Sequence, residues 1–238
     1  MKLHLFIPFL LTNTTFLTAL RSKNDVHKKM IHINKKMANP ELVVCITGVS
    51  NSGKTYFANT MKRVLYEKFQ VETEVVHQDY FFMPLDITPV EIVNLTNSDP
   101  RLYPRFEEVL SYDWAGLWEY ASNVAAKEKS NRVVIIEGSI ILQAKRAFRL
   151  CDKIFEITVD FETALKRRQA RKDYIDMFMT KREFYRDVTW AEHEKYMEIA
   201  TLLSWHFGHE IVQVEETAIS KAGVDRNIEE FVIDLLFG

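Results

Sequence analysis

Eight consecutive residues near position 50 combine glycine, hydroxyl and lysine side chains at a spacing that suits phosphate. Positions 48–55 are Gly-Val-Ser-Asn-Ser-Gly-Lys-Thr, after an apolar run at 42–47 and before a helical pattern that begins at Thr55. Gly48 and Gly53 allow the backbone to bend and to approach phosphate closely. Successive amide N–H groups can then point inward beside a helix N-terminus. The pattern predicts a P-loop that binds the phosphates of a nucleoside triphosphate.

The residue types within this loop predict separate tasks. Lys54 is expected to bridge the outer phosphates as a catalytic cation, and the Thr55 hydroxyl is the natural ligand for Mg²⁺. The other residues predicted to bind ATP within and next to the loop are Gly48, Val49, Ser50, Asn51, Ser52, Gly53 and Tyr56. We therefore expect Mg²⁺ as the cofactor and ATP as the co-substrate.

Two acidic residues follow predicted strands. Asp79 lies just past the strand predicted at 73–77, and Glu137 ends the apolar strand predicted at 132–137. Ligands of parallel α/β sheets bind beyond the C-terminal ends of the strands, so both carboxylates are expected at the site. Asp79 could accept a proton from a substrate hydroxyl, and Glu137 could order Mg²⁺ directly or through its water shell. The alternatives left open are a turn-capping aspartate and a simple strand-end carboxylate.

A basic segment follows the fourth predicted strand. Between positions 166 and 186, eight basic residues stand against three acidic ones. The basic residues are Lys166, Arg167, Arg168, Arg171, Lys172, Lys181, Arg182 and Arg186. A charge run of this kind is usually a solvated helix face. We favour a mobile lid, because its closure would exclude water and set guanidinium groups against the transferring phosphate.

Apolar periodicity over the remaining chain predicts an α/β fold. Strands are predicted at 42–47, 73–77, 132–137, 153–158 and 209–214, and helices at 55–69, 114–127, 162–172, 184–207 and 227–237. Their alternation indicates a five-stranded parallel sheet with helices on both faces, the three-layer fold of P-loop NTPases, with a small helical lid. Four prolines between 83 and 105 predict an irregular segment with one short helix near 90–95.

Composition limits the classes of function. The 238 residues are 47% hydrophobic and 27% charged, which supports one buried core and argues against wholesale disorder. Residues 1–40 carry seven basic and one acidic residue, whereas the rest carries 24 basic and 32 acidic residues. The folded part is therefore acidic and does not suit a general nucleic-acid binder. Cys45 and Cys151 lie in apolar runs, and we predict buried free thiols rather than a disulfide.

With these residues in hand, the chain resembles nicotinamide riboside kinases of the uridine-kinase-like P-loop group, over roughly residues 42–216. The similar stretches are 46–55, Gln78-Asp79 with Phe81-Phe82, Tyr112-Asp113, 135–138, 166–171, Trp190 and Lys195-Tyr196. The resemblance implies an ATP- and Mg²⁺-dependent kinase that converts nicotinamide riboside to nicotinamide mononucleotide, a step of NAD biosynthesis, by phosphorylating the 5′-hydroxyl.

The resemblance also implies roles on the substrate side. Asp79 would be the general base on the ribose 5′-hydroxyl and would help to hold Mg²⁺ with Thr55. Tyr112 and Asp113 would grip the nucleoside, with Asp113 on the ribose hydroxyls. From the residues alone, Tyr112-Asp113 predicts an ordinary aromatic beside a helix N-cap. The full implied substrate-binding set is Asp79, Phe82, Tyr112, Asp113, Arg168 and Tyr174.

In the basic segment, the resemblance directs Arg167 and Arg171 to the ATP phosphates and Arg168 to the substrate. The chain departs from the family at Tyr80, where a second acid is usual, and in the lid, where a proline-containing stretch is absent. Trp114-Ala115 follows Asp113 where uridine–cytidine kinases have His-Pro. The alternatives are a uridine–cytidine kinase and a catalytically silent nucleotide-binding scaffold on the same fold.

The first forty residues are predicted to be an N-terminal extension, disordered or a targeting segment, ahead of a P-loop kinase domain at 41–238. The run 5–11 is somewhat like a signal peptide, and the basic stretch 21–36 suits a mitochondrial presequence. We expect a cytoplasmic protein, or a mitochondrial one if the extension is a presequence. The expected partners are ATP and a nucleoside, without nucleic acid or stable membrane insertion, in a monomer or small homo-oligomer.

Overall fold

The computed structural model describes residues 42–93, 101–126, 132–171, 177–219 and 228–237, all in the unit Pro40–Gly238. The predicted extension 1–40 lies outside the described residues. The strands are Leu42–Thr47 (β1), Glu72–His77 (β2), Val90–Val93 (β3), Arg101–Pro104 (β4), Arg132–Glu137 (β5), Lys153–Thr158 (β6) and Ile211–Glu215 (β7). The α-helices are Lys54–Phe69 (α1), Trp114–Ala125 (α2), Ala147–Leu150 (α3), Phe161–Ala170 (α4), Arg182–Phe184 (α5), Ala191–Phe207 (α6) and Ile228–Phe237 (α7).

Five of the strands form one parallel sheet in the order β2-β5-β1-β6-β7. The first strand in the sequence is thus the central one, and Val44 pairs with Ile135 on one side and Lys153 on the other. β5 is buried along its whole length because helices cover both faces of the sheet. The predicted five-stranded parallel sheet is confirmed.

Side chains alternate between the two faces of the sheet. On one face, Cys45 of β1 packs in a core with residues of α2, α3 and α6, such as Trp118, Phe148 and Ala200. On the other face, Phe57 of α1 lies 6.5 Å from Phe155 of β6, measured between ring centroids, and 6.3 Å from Phe231 of α7. The predicted helices on both faces are therefore present. Within the described ranges, every helix is too short or too polar to traverse a lipid bilayer.

The proline-containing segment differs from its prediction. The short helix expected near 90–95 is wrong, because Val90–Val93 is β3, paired antiparallel with β4 so that Ile92 lies opposite Leu102. Valine and isoleucine, which fill three of the four β3 positions, favour extended backbone over helix. This hairpin is separate from the main sheet and carries Tyr103, which points into the core below it.

The two cysteines are joined in a disulfide, so the predicted free thiols are wrong. Cys45 lies on β1, and Cys151 comes just before β6, the neighbouring strand. Their Cα atoms are 5.8 Å apart, which is within the range that a disulfide requires. The pair is separated by 106 residues in the sequence, and local apolar character carries no information about which distant strand becomes the neighbour.

Candidate active site

The loop between β1 and α1 has a conformation that its glycines permit. Gly48 has a φ of 146° and Gly53 a φ of 102°, which side-chain-bearing residues rarely adopt. A Cβ atom on Gly48 would also approach the carbonyl oxygen of Ile157 to 2.5 Å. Gly53 supplies no capping side chain, and the first turn of α1 contains no acidic residue. The positive end of the helix therefore faces the loop uncompensated, which suits phosphate.

Lys54 lies half-buried at the start of α1. Its Nζ donates to the carbonyl oxygens of Gly48 at 3.0 Å and Val49 at 3.1 Å. Burial lowers the pKa of Lys54, while the nearby carboxylates of Glu137 and Asp79 act in the opposite direction. The lysine thus lies between the backbone of the P-loop and two acids, which is where a catalytic cation is needed for phosphate.

Glu137, at the end of β5, joins two neighbours through one oxygen. Its Oε1 accepts from the Thr55 hydroxyl at 2.9 Å and lies 2.7 Å from Nδ1 of His77. Burial favours the neutral acid, but the hydrogen bonds from His77 and Thr55 and the charge of Lys54 outweigh it and hold the pKa of Glu137 below its ordinary value. The hydrogen bond to Glu137 raises the pKa of His77. The carboxylate is therefore ionised and firmly oriented.

Asp79 lies in the 3₁₀ turn Gln78–Phe81 that follows β2. Its side chain is accessible to solvent and lines a cavity. The surrounding protein therefore still raises the pKa of Asp79 by desolvation; Lys54 opposes the rise and Glu137 adds to it. A carboxylate with a raised pKa is a better proton acceptor near neutral pH than an ordinary aspartate.

The oxygen donors at this edge of the sheet fit Mg²⁺. The Thr55 hydroxyl donates a hydrogen bond to Glu137, so the lone pairs of its own oxygen remain available to another partner. In the part of the chain that the structure describes, no group of three or more His, Cys, Asp or Glu side chains forms a metal site. Such a sparse donor set suits Mg²⁺, which commonly takes one or two carboxylates and completes its shell with phosphate and water.

A cavity of about 650 Å³ extends from the P-loop to a group of aromatic side chains. Lys54, Thr55, Asp79 and Glu137 line the end at the P-loop. The residues that line the other end, here called the acceptor end, include Phe82, Tyr103, Phe106, Glu107, Tyr112, Arg168, Met179, Thr189, His193 and Tyr196. The cavity therefore brings a phosphate-binding loop and an acidic side chain next to an aromatic chamber.

Two aromatic rings form a flat wall in the acceptor end. Phe82 stacks on Tyr112 with ring centroids 4.4 Å apart and an interplanar angle of 28°. Phe106 meets Phe82 edge-on at 5.4 Å. A backbone bridge between Phe82 and Tyr112 fixes this pair, since it ties the turn after β2 to the start of α2. The wall suits stacking with a planar ring.

The predicted lid arginines divide between the two ends of the cavity. Arg167 donates to the carbonyl oxygen of Asn51 at 3.5 Å, and Arg171 reaches the side-chain oxygen of Asn51 at the same distance. Arg168 is 2% exposed and donates from Nε to the carbonyl oxygen of Met179 at 2.6 Å. The structure thus brings Arg167 and Arg171 to the P-loop and Arg168 to the acceptor end.

Two residues of the implied substrate-binding set are not in the described lining. Asp113 is exposed and caps α2, where its Oδ1 accepts from the backbone N–H of Gly116 at 2.9 Å. The geometry matches the N-cap interpretation of this position. Tyr174 lies outside the described residues. Tyr112, by contrast, is buried and lines the cavity.

Sequence reasoning did not identify three residues that contact the site. His77 bonds Glu137, Tyr185 donates to the carbonyl oxygen of Ser50 in the P-loop at 2.7 Å, and Glu107 lines the acceptor end. His77 had a usable signal, because it ends the strand predicted at 73–77; the structure pairs that strand with the one that ends at Glu137. Tyr185 had none, since Ser50 comes from a distant segment. Glu107 has one local donor, Tyr103, but its other donor, Thr189, lies 82 positions away.

Comparisons with known proteins agree with the fold. No family model matches the chain, and no curated protein matches it. Among solved structures, the chain is similar to a proposed fructose transport system kinase from Silicibacter sp. TM1040, with a TM-score of 0.50 and 15% identity over 73% of this chain and 93% of that one. At this identity the likeness shows a shared fold and no more.

Two further structures are similar at lower scores. A protein described as a possible uridine kinase from Bacillus stearothermophilus has a TM-score of 0.47 and 16% identity, over 80% of this chain and 100% of that one. A gluconokinase from Sinorhizobium meliloti 1021 has a TM-score of 0.40 and 14% identity, over 81% and 97% of the two chains.

Proposed function

We propose that this protein is an ATP- and Mg²⁺-dependent kinase that phosphorylates the 5′-hydroxyl of a nucleoside, and that nicotinamide riboside is its substrate. One observation carries the proposal: a single cavity is lined by the P-loop, by Asp79 and by the stacked rings of Phe82 and Tyr112. A protein that only binds nucleotide needs the loop but has no need of an accessible carboxylate opposite it. An acceptor chamber beside that carboxylate supports phosphoryl transfer.

Catalysis would combine positioning with charge stabilisation. Lys54 and Arg171 would supply positive charge to the triphosphate. Arg167 lies beside them, and its guanidinium also pairs with Glu216. Asp79 accepts the proton of the acceptor hydroxyl while the hydroxyl oxygen forms a bond to the γ-phosphorus. The bond between that phosphorus and the bridging β–γ oxygen breaks, and ADP leaves with the electron pair.

Thr55, Asp79 and Glu137 are the residues that would hold Mg²⁺, as their oxygen chemistry favours. The bound ion would neutralise charge on the outer phosphates. His77 supports this arrangement from behind, because its hydrogen bond fixes the orientation of the Glu137 carboxylate. The sparse protein donor set agrees with an ion that arrives together with the nucleotide.

The stacked pair Phe82 and Tyr112 supports a planar base on the acceptor. The resemblance of the segments around Asp79 and Tyr112 to nicotinamide riboside kinases favours the nicotinamide ring. A pyrimidine would stack on the same wall, so uridine is the second candidate. The two are separated by the substrate panel that follows.

We expect ADP release with ATP, Mg²⁺ and a panel of nucleosides to be fastest with nicotinamide riboside, measured as kcat/KM, with the mononucleotide identified by mass. Asp79→Asn keeps the shape of the side chain but cannot accept the proton. We expect its kcat to fall by about 10²- to 10⁴-fold, with ATP affinity maintained. The exposed Asp86, which is outside the cavity lining, provides the matched control Asp86→Asn.

Three outcomes would contradict parts of this proposal. Faster turnover of uridine than of nicotinamide riboside would make uridine the substrate. Near-normal turnover by the Asp79→Asn variant would remove Asp79 as the base. ATP binding without turnover of any nucleoside would favour the catalytically silent alternative.

A further inference from the structure

Glu107 is a carboxylate held in a fixed orientation at the acceptor end of the cavity. Tyr103 donates to its Oε2 at 2.7 Å, and Thr189 donates to its Oε1 at 2.8 Å. Both donors are buried, at 2% and 3% exposure, and they come from β4 and from the π-helical segment Tyr185–Trp190. Each carboxylate oxygen receives one hydrogen bond and so keeps a lone pair for a further partner.

Among the described residues, no ion pair balances the negative charge of Glu107. Within the described part of the chain, no lysine, arginine or histidine side chain makes a salt bridge or hydrogen bond to it. Of the cationic or titratable neighbours in the same lining, Arg168 donates from Nε to the carbonyl oxygen of Met179. His193 faces another carboxylate, with its Nε2 3.5 Å from Glu156.

The charge of Glu107 acts on the whole acceptor end. Three tyrosines of the lining, Tyr103, Tyr112 and Tyr196, have pKa values above the ordinary one, first because they are buried and then because anionic neighbours that include Glu107 oppose their ionisation. Their hydroxyls therefore stay protonated and add no anion of their own. The acceptor end therefore combines aromatic faces with one oriented carboxylate that has no direct cationic partner among the described residues; the buried Arg168 of the same lining bonds Met179 instead.

An unpaired carboxylate at a partly desolvated site is unfavourable unless a ligand supplies the missing positive charge. Aromatic faces favour the same kind of ligand, because the negative faces of the rings attract cations. An acceptor with a carboxylate of its own would meet repulsion here. The surroundings of Glu107 therefore match a planar ring that carries positive charge.

We propose that Glu107 is a specificity-determining residue that selects an acceptor with a cationic ring over one with a neutral ring. The inference rests on the proposed function, in that the acceptor is taken to be a nucleoside, and it names the charge of its base as the recognised property. It separates the two candidate substrates, since the ring of nicotinamide riboside is a pyridinium cation and uracil is neutral.

The test compares two acceptors that share the ribose and the carboxamide but differ in ring charge, because one is the hydride-reduced form of the other. Nicotinamide riboside is cationic, and its reduced dihydro form is neutral but keeps the same ribose and carboxamide. Glu107→Gln preserves size and one acceptor oxygen while it removes the charge. We expect its kcat/KM to fall about tenfold or more for the cationic nucleoside and less than about threefold for the neutral one.

Two further variants make the result interpretable. Glu108→Gln is the matched control, because the Glu108 carboxylate pairs with Arg105 outside the cavity lining, and we expect it to leave the ratio of the two kcat/KM values unchanged. Thr189→Val keeps the charge of Glu107 but removes one of its two donors, and we expect a smaller change in the same ratio. It replaces Glu107→Gln as the test variant if thermal denaturation shows that the latter does not fold.

Binding of each nucleoside, measured by calorimetry without ATP, separates this inference from the proposed function. If the wild type turns over neither nucleoside but Glu107→Gln weakens binding of the cationic one selectively, the inference stands and the kinase proposal fails. If the wild type turns over both nucleosides and the variant lowers both rates equally, or changes neither rate, Glu107 does not select charge. Faster turnover of the neutral form by the wild type would also overturn the inference.

Discussion

Glu137 connects the metal side of the site to the sheet through a single carboxylate. It accepts from Thr55 at the start of α1 and pairs with His77 at the end of β2. The register of β2 against β5 puts His77 directly opposite Glu137, so the contact is a consequence of strand pairing. The pKa of His77 is raised and that of Glu137 is lowered, so the contact favours an imidazolium beside a carboxylate. It offsets part of the negative charge that Glu137 and Asp79 bring to the site.

This pair predicts a pH-dependent contribution to stability. The contribution of Glu137 is present above its ordinary pKa of 4.5 and is lost as pH falls through its lower folded value. The contribution of His77 is present below its ordinary pKa of 6.5 and is lost as pH rises through its higher folded value. We therefore expect His77→Gln to destabilise the protein most between pH 4.5 and 6.5, and less at a pH above the raised pKa of His77, in thermal denaturation without ligand.

The exposed His206→Gln is the matched control and is expected to show no such pH window. A difference in Tm between His77→Gln and wild type that stays constant across this range would show that the imidazole acts only through packing.

A second pH prediction concerns Asp79. Its folded pKa is raised and its basic form is the active one, so kcat/KM should fall as pH decreases through that raised value. We expect the acidic limb of the pH profile at a pH above the ordinary aspartate pKa of 3.8. A profile that stays flat down to that value would contradict the role of Asp79 as the base.

At this scale the sequence was most informative where chemistry follows from a local pattern. Lys54, Asp79 and Glu137 were predicted because each ends or follows a recognisable element, and the structure brings them into one cavity. The role of Glu107 could not be predicted, because the orientation of its carboxylate depends on Thr189, a residue 82 positions away. The family resemblance assigned Asp113 to binding of the ribose, whereas in the structure its carboxylate caps a helix.

At the scale of elements, the helix that begins at the end of the basic segment contacts the P-loop. It begins as α5, passes through the π-helical segment Tyr185–Trp190 and continues as α6. π-Helical segments are rare and frequently occur at functional sites. This one directs the buried Tyr185 hydroxyl to the carbonyl oxygen of Ser50, while the Tyr185 ring lies 5.1 Å from the guanidinium of Arg168. One residue therefore contacts both the P-loop and the wall of the acceptor end.

We expect Tyr185→Phe to raise the KM for ATP about three- to tenfold and to lower the free energy of unfolding by about 1–3 kcal/mol, because it leaves the Ser50 carbonyl oxygen without this donor. ATP-dependent initial rates and urea denaturation measure the two effects. Tyr66→Phe, at an exposed tyrosine of α1, should change neither quantity. A lower stability with an unchanged KM would limit Tyr185 to a structural role.

For the main sheet, periodicity was sufficient, because parallel strands buried on both faces read as short apolar runs between helices. The hairpin of β3 and β4 was missed for a physical reason. Its pairing is tertiary, and four prolines obscured the β-branched character of Val90–Val93. The disulfide was missed likewise, since strand order decides which cysteines become neighbours.

For the whole molecule, ligand binding and folding are linked, because the P-loop connects the central strand to α1. A ligand that binds only the folded protein stabilises it by about 2.7 kcal/mol at a concentration one hundred times its Kd. We expect ATP to raise the Tm of the wild type in a concentration-dependent way and to have little effect on Lys54→Ala. Scanning fluorimetry over an ATP series measures this, with the exposed Lys145→Ala as the control. An equal shift in the Lys54→Ala protein would mean that ATP stabilises the chain from another site.

The strand order β2-β5-β1-β6-β7 also determines how late during synthesis the nucleotide site can form. β1 precedes both of its partners, and the contact between Val43 and Asp152 spans 109 residues. A ribosome would therefore have released the P-loop sequence long before β5 and β6 emerge to flank it. Until then the nascent chain holds the central strand without neighbours, which makes folding of this domain a slow, non-local event. Nucleotide affinity should arise late, in one step with closure of the sheet.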